Sequence, residues 1–421
     1  MNEKRRITRG SSALLPGSGF EAAALLAPQQ ALTLYFSHAK MRAPAIEFVP
    51  LDLAHSRVLA QRVLADAAYP AAPRSAMDGF ALRSAETPGR LRVAGEVLMG
   101  HAWPQTLPSQ AAVRIPTGGV VPPDADAVVP FEDVRVDGDS IEVDSAVPAG
   151  DAVTPAGSDM RAGEQILEAG RRIGGAELGV LATLGITTVP VYRRPTIAVL
   201  SSGDELVEAD ASPGPAQVRD SNRWAIGGTL QALGALVRHF PSVPDVAQRF
   251  EGLLREALAT ADAVVLTGGS SVGERDLTPR IIERLGAPGV IVHGLRVKPG
   301  KPTVLASIDG KPVIGLPGNP TSALMILEAV AAPIVCELGG ARHEPEQTEA
   351  RLAADYKKRP GWTWFVPVRL EDTGEARIAY PLEMRSSMTS LLARASGFMT
   401  LDETVDKLPS GHVVRVTRFK R

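Results

Sequence analysis

The chain of 421 residues contains a single cysteine, Cys336. One thiol cannot form an internal disulfide, and it cannot supply a zinc or iron–sulfur site that needs several thiolates. Cys336 lies in an apolar helical stretch, so we interpret it as a buried small residue. The seven histidines show no metal-ligand spacing, and His55 and His239 are interpreted as surface or helix-end residues.

Aromatic residues are only 5% of the chain and the formal net charge is −2. These values argue against a base-stacking surface and against nucleic-acid binding by bulk charge. No apolar run reaches the ~18 residues that a bilayer span requires, and Pro16 and Gly17 interrupt the only apolar stretch near the N-terminus. We therefore expect no membrane segment, a disordered extension over residues 1–19, and a cytoplasmic protein. Serine-hydrolase elbows and Walker sequences are also missing.

The length of the chain predicts two to four domains, and the 44% apolar content is typical of a globular protein. Apolar periodicity predicts a helical unit, and short alternating runs broken by Pro and Gly predict a β-rich unit inserted into it. A repeated strand–turn–helix pattern, with helices expected over residues 224–238 and 246–261, then predicts a parallel α/β sheet, followed by further strands. The predicted boundaries are 20–65 with 165–190 (helical), 66–164 (inserted β-rich), 191–340 (α/β) and 345–421 (β).

Two Gly-rich runs are the most informative feature of the sequence. Residues 267–276 (TGGSSVGERD) and 315–323 (GLPGNPTSA) each follow a short apolar run and precede a helical pattern. A buried strand that ends in such a turn presents bare backbone N–H groups at the start of a helix, which favours phosphate and other oxyanions. Between the two runs, Lys298 and Lys301 lie in a turn-rich Lys-Pro-Gly-Lys-Pro loop and add two cations.

Several acidic residues lie in loops or just after strands: Asp78, Asp159, Asp204, Glu205 and Asp276. Each of them alone is compatible with a turn or a helix cap. Near a phosphate-binding loop, however, such carboxylates favour a divalent cation that bridges protein and phosphate oxygens, as Mg²⁺ does. Glu205, Asp276 and Asn319 all fall just past strand ends, where open α/β sheets bind their ligands.

Together these motifs resemble those of the molybdopterin molybdenumtransferase family, which includes bacterial molybdenum-insertion enzymes and the corresponding domain of gephyrin. The resemblance covers all but the N-terminal extension, and Phe80 stands where tyrosine is usual. The C-terminal stretch 384–390 departs from the family pattern because it lacks a glycine. The matching motifs are residues 75–81, 116–119 with 124–129, 267–276, 298–302 and 315–323.

The resemblance implies a multidomain α/β plus β protein: a parallel α/β pterin-binding domain, a helical domain with an inserted β-rich domain, and a C-terminal β-barrel-like domain. It implies a homodimer with the active site between subunits, and contacts with other molybdenum cofactor biosynthesis or acceptor proteins. The implied reaction inserts molybdate into adenylylated molybdopterin with Mg²⁺-dependent release of AMP.

By motif, the implied site residues fall into three groups. The catalytic group is Asp78, Thr117, Asp159, Glu205, Asp245 and Asp276, of which Glu205 and Asp276 would hold the metal. The substrate-binding group is Thr267, Gly268, Gly269, Ser270, Ser271, Lys298, Lys301, Pro317, Gly318, Asn319, Pro320, Arg385 and Ser386.

Two other interpretations remain open at this stage. A related molybdopterin adenylyltransferase shares the α/β fold, but it needs neither the inserted β unit nor the C-terminal strands. A pterin carrier or scaffold without turnover is the alternative from a different class. The many acidic residues favour catalysis, because a scaffold has no use for a charge-dense, desolvated cluster.

Overall fold

The structure is a computed structural model and describes residues 25–268, 277–384 and 387–420. Six predicted site residues lie outside the described residues: Gly269, Ser270, Ser271, Asp276, Arg385 and Ser386. The predicted extension over residues 1–19 also lies outside them.

Residues 25–65 contain one α-helix and two strands, α1 (Pro28–His38), β1 (Ile46–Pro50) and β2 (Val63–Leu64), with a 3-10 turn at Leu51–Leu53. Ala31, Leu32 and Tyr35 bury one face of α1 in the core of the α/β unit. The prediction of helix throughout residues 20–65 is therefore wrong beyond α1. Pro50 lacks the N–H that a helix needs, and Ile46 and Phe48 alternate with polar or smaller neighbours as in a strand.

The insertion, defined here as residues 66–164, is a β structure as expected. A six-stranded sheet has the order β7-β4-β6-β5-β9-β8, in which only β5 and β6 run parallel. The remaining strands, β3 and β10, pair antiparallel beside it. Its two apolar clusters consist only of residues of the insertion. The strands are β3 (Arg74–Ser75), β4 (Gly79–Leu82), β5 (Gly89–Glu96), β6 (Ala111–Ile115), β7 (Ala127–Pro130), β8 (Arg135–Asp137), β9 (Ser140–Val143) and β10 (Val153–Thr154).

After the insertion, the chain returns to the unit that contains β1 and β2. β11 (Gln165–Leu167) pairs with β2, and β12 (Thr188–Tyr192) pairs with β1, both antiparallel. Between them lies α2 (Gly175–Thr183), so the helix predicted for residues 165–190 covers only this middle part. Leu59, Ile173 and Leu181 share one small buried cluster. The unit predicted as helical over residues 20–65 and 165–190, called the linker unit below, is thus mixed rather than helical in its described part.

A six-stranded sheet of order β16-β13-β17-β21-β20-β18 forms the centre of the α/β unit. Four adjacent strands are parallel, as predicted, whereas β20 runs antiparallel to both of its neighbours. The β20–β21 hairpin turns at Asp309-Gly310, where both φ angles are positive as a tight two-residue turn requires. Of the strands in this part of the chain, β14 and β15 form a separate pair and β19 joins the barrel. The strands are β13 (Thr196–Ser201), β14 (Leu206–Val207), β15 (Val218–Arg219), β16 (Leu236–His239), β17 (Ala263–Thr267), β18 (Pro288–His293), β19 (Val297–Lys298), β20 (Val304–Ile308) and β21 (Lys311–Leu316).

Helices cover both faces of this sheet. One buried cluster combines the sheet with α1, α3 (Asn222–Ala232), α6 (Pro320–Ile326) and α7 (Ala332–Leu338). The other combines it with α4 (Ala247–Thr260) and α5 (Leu277–Leu285). The central strands are therefore apolar on both sides, which explains the continuous apolar runs in the sequence.

A π-helical turn, Leu327–Ala331, joins α6 and α7 into one helical segment. Pro333 lacks a backbone N–H, so the regular hydrogen-bond ladder cannot continue through this point. The segment Pro320–Leu338 is long and apolar enough to cross a membrane, but 72% of its most apolar window is buried inside the protein. It is the core helix of the α/β unit.

Glu328 in this π-helical turn should make stability depend on pH. Burial raises the pKa of its carboxyl group to about 7, and the charge of Lys420 offsets part of that rise. Because the unfolded chain loses this proton at lower pH, the native state loses stability as the pH rises from about 4.5 to 7. Glu328→Gln should therefore stabilise the protein by about 2 kcal/mol at pH 8.

Urea unfolding at pH 5 and pH 8 measures this effect. The exposed Glu337→Gln on α7 is the matched control. A gain from Glu328→Gln that is equal at both pH values would contradict the proposed burial effect.

The C-terminal part forms a closed barrel. Strands β24-β25-β22-β28-β26 follow one another in the sheet, and β26 pairs back onto β24. Strand β19 of the α/β unit adds to β24, so the Lys298 loop is joined to the barrel. The elements are β22 (Gln347–Leu352), β23 (Tyr356–Lys357), β24 (Thr363–Asp372), β25 (Arg377–Pro381), α8 (Leu391–Arg394), β26 (Gly397–Leu401), β27 (Lys407–Leu408) and β28 (Val413–Arg418). The predicted multidomain α/β plus β class is confirmed.

Candidate active site

Three loops leave one edge of the α/β sheet side by side. Strands β13, β17 and β21 are adjacent and parallel, and Ser201, Thr267 and Leu316 at their ends are in register. The loops that follow include Glu205, Gly268 and Gly318 respectively. An open parallel sheet binds ligands at this edge, because the strand ends and helix starts meet there.

Asn222, the first residue of α3, ties two of these loops together. Its Nδ2 donates to Thr267 Oγ1 at 2.9 Å and to the Gly318 carbonyl at 2.7 Å. Thr267 Oγ1 in turn donates to the Pro317 carbonyl at 3.3 Å. Asn222 and Thr267 are buried, so these bonds hold both Gly-rich loops at a fixed separation.

Gly268 is required by close packing of the backbone. Its φ is +90°, and a Cβ at this position would overlap the Ser202 carbonyl oxygen and lie 2.9 Å from the carbonyl carbon. A Cβ on Gly318 would lie 3.8 Å from Gly268 Cα. The two glycines therefore let the loops approach each other and leave their backbone accessible to a ligand.

Carboxylates lie beside these loops. The Asp245 backbone N–H donates to Asp204 Oδ1 at 3.1 Å, so the loop after β13 and the start of α4 are in contact. Glu205 is exposed next to Asp204, and the Glu205 carbonyl accepts from Val218 N–H at 2.9 Å. Predicted residues Glu205 and Asp245 thus lie in one loop cluster. Within the described ranges no three His, Cys, Asp or Glu side chains form a metal-binding group.

The lysine loop is fixed by packing. Lys298 Nζ lies 4.2 Å from the ring centroid of Trp364 in the barrel, a distance typical of a cation–π contact. Gly300 has a φ of +107° and packs against Ile326 of α6, and Thr303 Oγ1 donates to its carbonyl at 2.6 Å. Because α6 starts just after Gly318, the lysine loop is packed against the helix that follows the second Gly-rich loop.

In the insertion, the structure brings two predicted residues together. Asp78 Oδ1 accepts from the Thr117 backbone N–H at 2.7 Å, and both residues are exposed. Asp159 lies in a different turn, where its N–H donates to the Tyr69 carbonyl at 3.1 Å. Across the described part of one chain, no hydrogen bond or ion pair joins the insertion to the strand-end loops of the α/β unit.

Four buried polar residues, three at the start of α3 and one at the end of β13, were not predicted from the sequence. Asp220 and Arg223 are almost completely buried and form an ion pair at 3.6 Å. Arg223 also donates to the Phe240 carbonyl at 2.8 Å. Ser201 Oγ and Asn222 Oδ1 are buried without a hydrogen-bond partner in the described residues. The available signal was the Asp-Ser-Asn run before a helical pattern, which is typical of a helix start.

The fold is an open α/β sheet with an inserted β unit and a C-terminal barrel, and its strand-end loops are of the kind that bind oxyanions. Comparison with known proteins agrees. Residues 26–185 match the MoeA N-terminal region (domain I and II), residues 198–336 a probable molybdopterin binding domain, and residues 349–419 the MoeA C-terminal region (domain IV).

Whole-chain relatives give the same result. The chain is 30% identical to the molybdopterin molybdenumtransferase of Haemophilus influenzae over 89% of this chain and 94% of that protein. It is 31% identical to that of Bacillus subtilis over 88% and 89%. A solved molybdopterin biosynthesis MoeA protein from Pyrococcus horikoshii superposes with a TM-score of 0.78 at 32% identity, covering 94% of this chain and all of that one.

The chain therefore belongs to the molybdopterin molybdenumtransferase family, and it is an enzyme of molybdenum cofactor biosynthesis.

Proposed function

We propose that this enzyme inserts molybdate into adenylylated molybdopterin and releases AMP. The observation that carries the proposal is the pair of Gly-rich loops held together by Asn222. Their exposed backbone at Gly318 and Asn319, with the lysine loop packed nearby, is suited to the phosphate of a pterin and to molybdate, both of which are oxyanions.

The residues of this chain act mainly by position and charge. Thr267 and Asn222 fix the loops, so the backbone N–H groups need no reorganisation when charge develops on the phosphate. Lys298 and Lys301 provide cations that offset the charge of two anionic substrates. We assign substrate contacts also to Pro317, Pro320 and the residues of the first Gly-rich loop.

Mg²⁺ in proteins needs only one or two carboxylates together with phosphate oxygens and water, and Glu205 is an exposed carboxylate beside the Gly-rich loops. Glu205 and Asp276 are the proposed metal ligands. When bound, Mg²⁺ would neutralise charge on the phosphoanhydride that breaks as AMP leaves.

We further propose a cytoplasmic homodimer in which Asp78, Thr117 and Asp159 complete the site of the partner subunit. Asp78 and Thr117 are hydrogen-bonded to each other and open to solvent, so they are available to a neighbouring chain. Ile46, Phe48 and Leu53 are 48%, 65% and 63% exposed in the single chain. Such apolar side chains are typical of a surface that another subunit covers. Proteins that supply the pterin or accept the finished cofactor are the further partners that we propose.

AMP release tests the reaction. Purified protein is incubated with adenylylated molybdopterin, Mg²⁺ and molybdate, and AMP is followed by chromatography. We expect release that depends on molybdate. Tight pterin binding without AMP would instead indicate a carrier or scaffold.

Mixing two inactive variants tests the shared site. Asp78→Asn and Glu205→Gln should each lower the rate by at least about 100-fold, because each removes a charge close to the reacting phosphate. If the two residues come from different subunits, an equal mixture of co-refolded chains should recover about a quarter of the native rate, because half of the dimers are mixed and each has one intact site.

A site built within one chain predicts no recovery, since every site then carries one substitution. Each variant co-refolded with itself is the control. Gel filtration of the same samples confirms that the chains have reassembled.

A further inference from the structure

A cavity lies away from the strand-end loops, where the linker unit, the α/β unit and the barrel meet. Its volume is about 700 Å³, which lies within the range of small-molecule binding sites. Ser56 and Arg172 of the linker unit, Arg194 and Gln231 of the α/β unit, and Arg418 and Lys420 of the barrel face it. None of these residues belongs to the proposed active site.

The charge of this cavity is strongly positive. Four lining side chains are cations, and Glu346 is the only lining carboxylate. Glu346 lies 3.5 Å from Arg418, and both side chains are largely solvent-exposed, so the pair is weak. Among the described residues, no carboxylate lies within ion-pair distance of Arg194 or Lys420.

The surroundings of Lys420 do not neutralise it fully. Glu328 is the buried carboxyl group that senses the charge of Lys420, and burial raises its pKa to about 7. At neutral pH it therefore carries only part of a negative charge. Arg172 is already anchored, because it donates to the Ser56 carbonyl at 2.9 Å, so one cation is held in place before any ligand arrives.

We propose that this cavity binds a phosphate-bearing anion of nucleotide size. Clustered guanidinium and ammonium groups carry a repulsion that an anion relieves, and arginine matches phosphate oxygens with two parallel hydrogen bonds. Phe419 adds an apolar wall to the same cavity and packs against Phe398. The ligand therefore has several negative oxygens and room for a planar group.

A ligand in this cavity would fix the linker unit, the α/β unit and the barrel relative to one another. The cations come from the linker unit, the α/β unit and the barrel, so one ligand would contact all three. A ligand that binds only the assembled state stabilises that state by mass action. The cavity is thus a site through which a phosphorylated metabolite fixes the arrangement of the units around the catalytic loops.

Calorimetric titration of the full chain with inorganic pyrophosphate and with ADP tests the proposal. We expect both probes to bind, and the double variant Arg194→Gln/Lys420→Gln to weaken the binding at least about tenfold. Tighter binding of ADP identifies a nucleotide as the ligand class, whereas equal binding identifies the phosphate groups alone. Arg415→Gln is the control, since Arg415 lies exposed on strand β28 of the barrel, outside the cavity.

A second variant keeps the test valid if the double variant folds poorly. Gln231→Glu keeps the side-chain shape at an exposed position and places a negative charge at the cavity, so it should also weaken both probes. Melting temperatures without ligand establish that each variant is folded. Binding that is unchanged in Gln231→Glu and in the double variant, or the failure of native protein to bind either probe, would overturn the proposal.

Discussion

Gly268→Ala should lower activity strongly and destabilise the protein more than any other single methyl group added near the site. Alanine is strained at a φ of +90°, and its Cβ would overlap the Ser202 carbonyl oxygen, which is part of the neighbouring strand-end loop. Backbone cannot move aside as the end of a flexible side chain can. We expect a loss of about 3–5 kcal/mol in the free energy of unfolding and a rate at least about 100-fold lower.

Urea unfolding and the AMP-release assay measure the two effects separately. Gly252→Ala is the matched control, because Gly252 lies within α4 and a Cβ there would meet nothing within 4 Å. That variant should gain stability of up to about 1 kcal/mol from helix propensity. Native-like activity of Gly268→Ala would show that the loop can open without cost.

Asn222→Leu should produce the second large effect. Leucine has a similar size but donates no hydrogen bond, so it removes the side chain that links the two Gly-rich loops. Thr267 Oγ1 and the Gly318 carbonyl each lose a donor. An unsatisfied buried polar group costs about 1–3 kcal/mol. Because Asn222 positions the loops, the rate should fall at least about 100-fold while most of the stability remains.

Measuring kcat and KM separately distinguishes a positioning role of Asn222 from simple substrate binding. We expect kcat to fall more than KM rises, since the loops are needed most when charge develops on the phosphate. Gln29→Leu, at an exposed position of helix α1 outside every proposed site, is the control and should retain native kinetics. A KM effect alone would show that Asn222 serves ground-state binding rather than loop geometry.

Much of the central fold is predictable because its strands are buried on both faces. The apolar runs before the two Gly-rich motifs are strands β17 and β21, and helix α4 spans Ala247–Thr260 where residues 246–261 were predicted. The helix predicted for residues 224–238 is shorter: it ends at Ala232 and is followed by strand β16. Gly234 has a φ of +101°, which a right-handed helix does not tolerate.

Other features depend on partners that are distant in the chain. Strands β1 and β2 are short and half-exposed, and their pairing residues lie beyond position 160. Local periodicity contains no information on such pairing, so residues 46–64 resembled a helix. Asn222 was missed for the same reason, because the two groups that it bonds are 45 and 96 residues away. The motifs identified the loops but not the side chain that joins them.

The two ends of the insertion lie side by side. Gly163 N–H donates to the Ala65 carbonyl at 2.8 Å, and Ala65 N–H donates to the Glu164 carbonyl at 2.9 Å. The chain therefore leaves and re-enters the linker unit within one pair of hydrogen bonds, and the 98 or so residues between them form their own apolar core. Mutations in the gene can lengthen, shorten or exchange the insertion while the strands of the linker unit keep their places. The surface of the insertion can thus change in one part of the chain while the α/β sheet stays the same.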